Sequence, residues 1–238
     1  MRTIFFFLLA TVIVTSCTQQ TAHEKLHEIM QNYHEQTLKM NPIGATFQGD
    51  TRYNDYLPNY LDDEVIASQK AFYSETLKTL LSINSNDLNE QDKLSKKILQ
   101  WECETTLMGM EFPSELLPID QMWTLQLTMG QLAAGASAQP FTTVTDYTNW
   151  LSRVDDYVAW LKSAKTKMKE GIMQDVVLPK SLIRKVVPQL EAMTESDLDK
   201  NIFYMPAKNF PEDFSTEEKD SLSKAYASMV TTKIIPAY

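Results

Sequence analysis

Apolar side chains recur every three or four positions over most of this chain, which is the spacing of one face of an α-helix. The first such stretch runs from about Ala22 to Met40, and the pair Asn41-Pro42 ends it, because the residue before a proline disfavours helical geometry. Glycine occurs six times in 238 residues, and the Asn-Gly and Asp-Gly pairs that mark β-hairpins do not occur. The pattern therefore predicts an all-α protein, an irregular multi-helix bundle.

Capping residues and helix breakers predict where the other helices begin and end. A short helical turn at 43–47 and a loop at 49–60 are predicted first, followed by a helix capped by Asp62 that runs to about Ile83 and a helix capped by Asn89 that runs to about Phe112. The next predicted helices cover 122–134 and the stretch from a cap at Thr143 or Thr145 to an end at Gly171. Two more follow: a helix opened by Pro179 and kinked or interrupted by Pro188, and a last helix that begins at Ser215 with Glu218 and runs toward Ile234. Asp92 stands three residues after Asn89, in the position of a capping box.

The helix that follows Asn89 carries a stripe of large apolar residues. Its members share one side of the helix: Leu94, Ile98, Trp101, Thr105 and Met108. Such a stripe usually faces the protein interior, so the tryptophans and methionines at this spacing are interpreted as core residues. Cys103 is interpreted in the same way, as a small buried residue rather than a catalytic thiol.

The first residues have the pattern of a secretory signal. Arg2 supplies a positive charge, and residues 4–14 form an uncharged apolar run of eleven. A bilayer needs about 20 such residues, whereas a signal peptide needs about 7–15. The segment Val14-Thr15-Ser16-Cys17 resembles the lipobox of bacterial lipoproteins. That resemblance implies cleavage before Cys17 and attachment of acyl chains, such as palmitate, to this residue.

These signals divide the chain into a signal peptide (residues 1–16), a lipidated tether (17–21) and one helical domain (22–238). We expect an exported protein anchored to a membrane, on the outer-membrane or periplasmic and cell-surface side. By resemblance to Gram-negative lipoproteins, Thr18 after the cysteine permits the outer membrane. The alternative is an ordinary signal peptide with an incidental cysteine.

The charge of the chain argues against nucleic acid as a partner. The formal net charge is −9, and cleavage before Cys17 removes one arginine and no acidic residue, which leaves −10. A chain this acidic without a basic cluster binds nucleic acid poorly. It is also repelled by anionic lipid, so we expect the acyl group to be the membrane anchor.

One short motif suggests catalysis, His23-Glu24-Lys25-Leu26-His27, a literal H-E-x-x-H. Histidines four residues apart on a helix can bind zinc while the glutamate acts as general base. The charged Lys25 and the absence of a third histidine at the usual spacing argue against a peptidase site; His34 comes one residue too late. We therefore interpret the histidines as polar boundary residues and predict no catalytic residue and no metal site. A small zinc enzyme and adventitious metal binding are the alternatives.

Several stretches, in their order and spacing, resemble one bacterial family. They are residues 41–49 (NPIGATFQG), Leu57-Pro58, residues 118–121 (PIDQ), Phe141, residues 146–153 (DYTNWLSR, with the pattern D-Y-x-x-[YW]-L-x-R), Gly171, Pro179, residues 187–190 (VPQL) and residues 234–238 (IIPAY). Together they resemble the bacterial domain of unknown function 885 family, from about residue 41 onward.

The resemblance implies a longer all-helical protein, similar in fold to zinc-dependent peptidases of the gluzincin kind. The zinc motif of that family, of the type H-E-x-x-x-G-H-H, lies in the C-terminal half and is not among these 238 residues. No family catalytic residue is therefore carried over. The leading hypothesis is an N-terminal part of a membrane-anchored lipoprotein, inactive alone. Its partners would be the missing C-terminal half and a peptide substrate, and zinc would belong to the full-length protein. The rival is a complete surface-tethered binding or scaffold lipoprotein.

Overall fold

A computed structural model describes residues 20–238, and in this range every regular element is helical. The helices are α1 (Ala22–Met40), α2 (Pro42–Phe47), α3 (Asp63–Leu81), α4 (Glu90–Gly109), α5 (Leu125–Ala133), α6 (Val144–Met173), α7 (Lys180–Met193), α8 (Thr216–Met229) and α9 (Ile235–Ala237), with a π-helical turn (Val230–Ile234) between the last two and short 3-10 turns in the connections. The predicted all-α class is confirmed. None of the described helices is long and apolar enough to cross a membrane.

Side-chain caps start most of the long helices where the sequence predicts them. Ser215 and Glu218 form a reciprocal capping box at α8, and Thr143, rather than Thr145, forms one with Asp146 at α6. Asp62 caps α3. Each cap satisfies a backbone N–H that has no partner inside its helix, which explains why these starting points could be read locally.

Two cores hold the described helices together. The N-terminal core lies among α1, α3 and α4, and its buried members are Leu26, Leu80, Ile83, Leu88, Leu99 and Cys103. The central core surrounds α6, which buries Trp150 and Trp160 completely. Four aromatic rings pack around the Tyr147 ring with centroid distances of 5.2–5.7 Å: Phe141, Phe210, Phe214 and Tyr226.

Two predicted boundaries are wrong, and of the kink or interruption predicted at Pro188 the interruption is wrong. Helix α6 continues past Gly171 to Met173. A Cβ at Gly171 would lie 2.6 Å from the Val176 carbonyl oxygen and 3.1 Å from the Leu116 carbonyl oxygen, so this glycine permits a close backbone approach instead of ending the helix. Helix α5 begins at Leu125, three residues later than predicted. Helix α7 is continuous through Pro188, because this proline is exposed and water can reach the carbonyl that its ring leaves without a donor.

Candidate functional site

Trp123 is the most exposed large apolar residue of the described chain, at 84%. The loop that carries it is held by Asp120, whose carboxylate accepts hydrogen bonds from the backbone N–H groups of Met122 (2.6 Å) and Trp123 (2.9 Å). Thr124 closes the turn, since its hydroxyl accepts a hydrogen bond from the Asp120 N–H at 2.8 Å. The exposed position of Trp123 is therefore built by a local side-chain turn.

A groove lies on each side of Trp123. The larger groove, of about 320 Å³, separates the indole from Phe112 and is also lined by Pro118 and Tyr60. The smaller groove, of about 190 Å³, is lined by Pro42, among other residues. Three of the stretches that carry the sequence resemblance, at residues 41–49, 57–58 and 118–121, thus contribute to the walls around one exposed tryptophan.

Helix α4 continues this surface with its apolar stripe. The exposed fractions are 53% for Leu94, 56% for Ile98, 65% for Trp101, 59% for Met108 and 66% for Phe112, which follows the helix. We call these five residues and Trp123 the apolar face. From Leu94 to Met108 the stripe spans about 21 Å, at the α-helical rise per residue. The prediction that the helical residues share one side is confirmed.

The expectation that tryptophans and methionines lie in the core is wrong for Trp101, Met108 and Trp123. Helix α4 turns its other side toward α1 and α3, and that side includes Lys96 and Leu99. The Lys96 ammonium donates hydrogen bonds to the Ile83 carbonyl at 2.6 Å and to the Ser85 hydroxyl at 3.0 Å. The inward side of α4 thus combines hydrogen-bonded polar residues with Leu99 and Cys103 of the N-terminal core, and the side with the larger apolar residues is left in solvent.

Cys103 is fully buried in this inward side of α4. Burial raises the pKa of its thiol to about 11, so the group stays protonated at neutral pH. A protonated, inaccessible thiol is a poor nucleophile. The prediction of a small buried residue is confirmed.

Arg153 lies behind the grooves, with its side chain fully buried on α6. Its guanidinium donates to the Gln139 amide oxygen (2.7 Å), the Thr46 hydroxyl (3.0 Å), the Tyr53 carbonyl (2.5 Å) and the Tyr56 carbonyl (3.3 Å). Burial lowers its pKa to about 10, which still leaves the group charged at neutral pH. This arginine fixes the 53–56 loop and the end of α2, and thereby the back of the smaller groove.

Comparison with known families identifies the chain. A model of the bacterial proteins of unknown function named DUF885 matches residues 42–238. The chain belongs to this family. A search of curated proteins finds no match. The DUF885 match includes Thr46 and Arg153, which are 107 residues apart in sequence but hydrogen-bonded in the fold.

The histidines of the H-E-x-x-H stretch precede the DUF885 match and sit on the first turns of α1. The His23 Nδ1 atom lies 2.5 Å from one carboxylate oxygen of Asp92, and the His27 Nε2 atom lies 3.1 Å from the other. The hydrogen bond from His23, followed by that from His27, lowers the pKa of Asp92. Only half of the predicted capping box forms. The Asp92 backbone N–H donates a hydrogen bond to the Asn89 side chain at 2.9 Å, but the Asp92 carboxylate faces the histidines instead of the Asn89 backbone N–H.

Glu24 does not join this cluster. Its carboxylate accepts hydrogen bonds from the backbone N–H and the hydroxyl of Thr21, both at 2.9 Å, and so caps the start of α1. The glutamate of an H-E-x-x-H peptidase site must instead reach the metal-bound water, and this one is engaged elsewhere. Cys17, the predicted lipid-attachment residue, lies outside the described residues.

Proposed function

We propose that this chain is the N-terminal, non-catalytic part of a membrane-anchored DUF885 lipoprotein whose apolar face packs against the rest of the same protein. The observation that carries the proposal is the exposure of six large apolar side chains, four along one side of α4 and two, Phe112 and Trp123, that line the larger groove. Monomeric proteins rarely expose contiguous apolar patches beyond a few hundred Å² unless the patch is a binding site. Covering this face would contribute about 25 cal/mol for each Å² of apolar surface buried.

The surroundings of the apolar face favour the rest of the family domain as its occupant. Its grooves are lined by residues within the stretch that matches DUF885, including Pro42 and Pro118. Glu111 and Glu115 border the Phe112 end of the face. We therefore expect the occupant to be an apolar helical surface with basic residues at its edge, formed by the C-terminal half of the family domain.

The enzymatic side of the proposal rests on the resemblance to gluzincin-type zinc peptidases. Within such a protein this helical part would form one wall of a peptide-binding cleft, and the zinc ligands would come from the other half. The cluster at His23 does not fit a catalytic zinc centre, because Glu24 is bound to Thr21. We therefore expect no hydrolysis by the 238-residue chain alone, and peptide cleavage with bound zinc by this chain would contradict the proposal.

The lipid anchor would hold this body close to a membrane surface. Four tether residues, 18–21, separate the acylated Cys17 from α1, which begins at Ala22 five residue steps later. A fully extended tether of this length spans about 17 Å. Two or more acyl chains give stable anchoring where a single chain does not.

Replacing the anchoring cysteine should release the protein from membranes. In a Gram-negative host that exports and acylates lipoproteins, Cys17→Ser should move the protein from the membrane fraction to the soluble fraction. Cys103→Ser is the matched control, because Cys103 is buried and its replacement should leave the protein in the membrane fraction. Membrane association of Cys17→Ser equal to that of the unaltered chain would contradict the lipoprotein assignment.

The docking claim is tested by measuring how tightly the two separate halves of the proposed protein bind each other. The reading frame after Tyr238 should continue and encode H-E-x-x-x-G-H-H, and the polypeptide from that frame should bind the 238-residue chain. The double variant Trp101→Ser/Trp123→Ser should weaken this binding by about 1,000-fold, because two central interface tryptophans that contribute about 2 kcal/mol each total about 4 kcal/mol. Isothermal titration calorimetry measures the effect.

Exposed apolar residues elsewhere provide the control. Ile183 and Val187 on α7 are 43% and 45% exposed, and Ile183→Ser/Val187→Ser should leave the affinity within about twofold, as energetically neutral positions do. Equal weakening by both double variants would contradict a specific role for the apolar face. A stop codon after Tyr238, together with binding of the chain to a separate surface protein, would favour the rival scaffold function.

A further inference from the structure

We infer that His23, His27 and Asp92 form a structural binding site for a divalent transition-metal ion of the Zn²⁺ class, which joins the start of α1 to the start of α4. This inference departs from the sequence-based expectation of no metal site, and it is independent of the proposed docking function. The two histidines and the aspartate are 69 and 65 residues apart in sequence, so their convergence is produced by the fold.

The donor atoms have the spacing that such an ion requires. One ligand atom from each of the three residues lies within 4.8 Å of the other two. Zinc bound at about 2.0–2.1 Å in tetrahedral geometry places its ligand atoms roughly 3.3 Å apart. The His27 Nε2 atom lies 3.1 Å from one Asp92 carboxylate oxygen, and the His23 Nδ1 atom lies 2.5 Å from the other. An ion between the two rings and the carboxylate would widen the shorter contact toward this value, and both histidine side chains are exposed and have room to turn.

The cluster is built on ordered, partly buried groups. The Asp92 side chain is only 6% exposed, and the Asn89 side-chain amide donates a hydrogen bond to one of its oxygens at 3.0 Å. Leu26, between the two histidines, is fully buried in the N-terminal core and fixes which way α1 faces. Such supporting contacts orient ligands before an ion arrives.

The ligand types determine which ions the site prefers. Two imidazole nitrogens and one carboxylate oxygen suit Zn²⁺, Ni²⁺ or Cu²⁺, whereas Mg²⁺ and Ca²⁺ prefer sets made only of oxygen. Both histidine side chains are 55% exposed, which leaves room for water in the remaining coordination positions. Because Glu24 caps α1 and does not face the cluster, the site has no general base, and the ion would hold helices together rather than cleave a substrate.

Zinc binding by the full chain tests the inference. The chain would carry Cys17→Ser, so that a free thiol cannot bind the metal, and zinc would be titrated against a chromophoric chelator. We expect one zinc per chain, no competition from millimolar Mg²⁺, and a melting temperature raised by roughly 5 °C when zinc reaches about 100 times its Kd.

Two variants and one matched control locate the site. His23→Gln and Asp92→Asn should each weaken zinc binding by about tenfold or more and reduce the rise in melting temperature, at the same zinc concentration, to about half or less. His34→Gln, at the remaining histidine of the chain and on the same helix, should change neither. His23 is exposed, so its variant should fold even if Asp92→Asn does not. Zinc binding that is absent, unchanged in His23→Gln, or equally weakened in His34→Gln would overturn the inference, as would binding without thermal stabilisation.

Discussion

Replacing Arg153 with methionine should lower the free energy of unfolding by about 3–5 kcal/mol, because each buried acceptor left without its donor costs about 1–3 kcal/mol. The substitution removes the donor from the Gln139 amide oxygen and from the Tyr56 carbonyl, and it removes one of the two donors to the Tyr53 carbonyl, which keeps the Tyr56 N–H at 3.2 Å. Thr46 is less affected, since its hydroxyl also donates to the Pro42 carbonyl at 2.9 Å. Denaturant unfolding followed by circular dichroism measures the change.

The acceptors of Arg153 distinguish it from the arginine of a buried ion pair. Apolar replacement of a buried ion pair is often neutral, because both charged partners are removed together. Here two of the acceptors are backbone carbonyls, which no substitution removes. Arg184→Met, on the exposed side of α7, should change the unfolding free energy by less than about 0.5 kcal/mol. A similarly small effect of Arg153→Met would show that Arg153 does not hold the 53–56 loop.

Trp160→Ala should cost about 3–5 kcal/mol of unfolding free energy, the usual range for truncating a buried aromatic residue. The Trp160 side chain is fully buried. Its ring stacks on Tyr157 at a centroid distance of 5.9 Å and packs against Tyr60 at 5.7 Å. The truncation therefore leaves a cavity in the central core and removes two aromatic contacts, which thermal or denaturant unfolding detects.

Trp101→Ala is the matched control, because Trp101 is also a tryptophan but lies 65% exposed on α4. We expect its unfolding free energy to lie within about 0.5 kcal/mol of the unaltered chain, as for other exposed substitutions. If Trp101→Ala were as destabilising as Trp160→Ala, the stripe of α4 would be part of a core and could not serve as a docking surface.

Local chemistry explains which parts of the fold the sequence predicts correctly. Helical periodicity needs only neighbouring residues, and the caps at Asp62, Thr143 and Ser215 act within three residues of themselves. The apolar stripe of α4 is also recognised correctly as one side of a helix. Which side of α4 turns inward could not be predicted, because that side is held by contacts of the fold: the hydrogen bond from Lys96 to the Ile83 carbonyl and the burial of Leu99 and Cys103 in the N-terminal core.

The roles of Arg153, Asp92 and Gly171 also depend on contacts that are distant in sequence. The backbone carbonyls that accept from Arg153 are 97 and 100 residues away, and a carbonyl leaves no mark on a sequence. Asp92 has the ordinary appearance of a residue in a helix cap, and only the packing of α1 beside α4 brings it to His23. Gly171 was interpreted as a helix end, whereas its role is to let the Leu116 and Val176 carbonyls approach. Long-range contacts thus decide the function of residues whose local signals suggest simpler roles.

The most direct test of the docking surface is side-chain accessibility in the longer protein. Oxidative footprinting with mass spectrometry would compare Trp101, Met108 and Trp123 in the 238-residue chain and in the protein encoded by the continued reading frame. We predict strong labelling of all three in the chain and marked protection in the longer protein, with Met173, which is 77% exposed, labelled equally in both. Equal labelling of Trp101 and Trp123 in the two proteins would contradict the claim that the rest of the family domain covers this face.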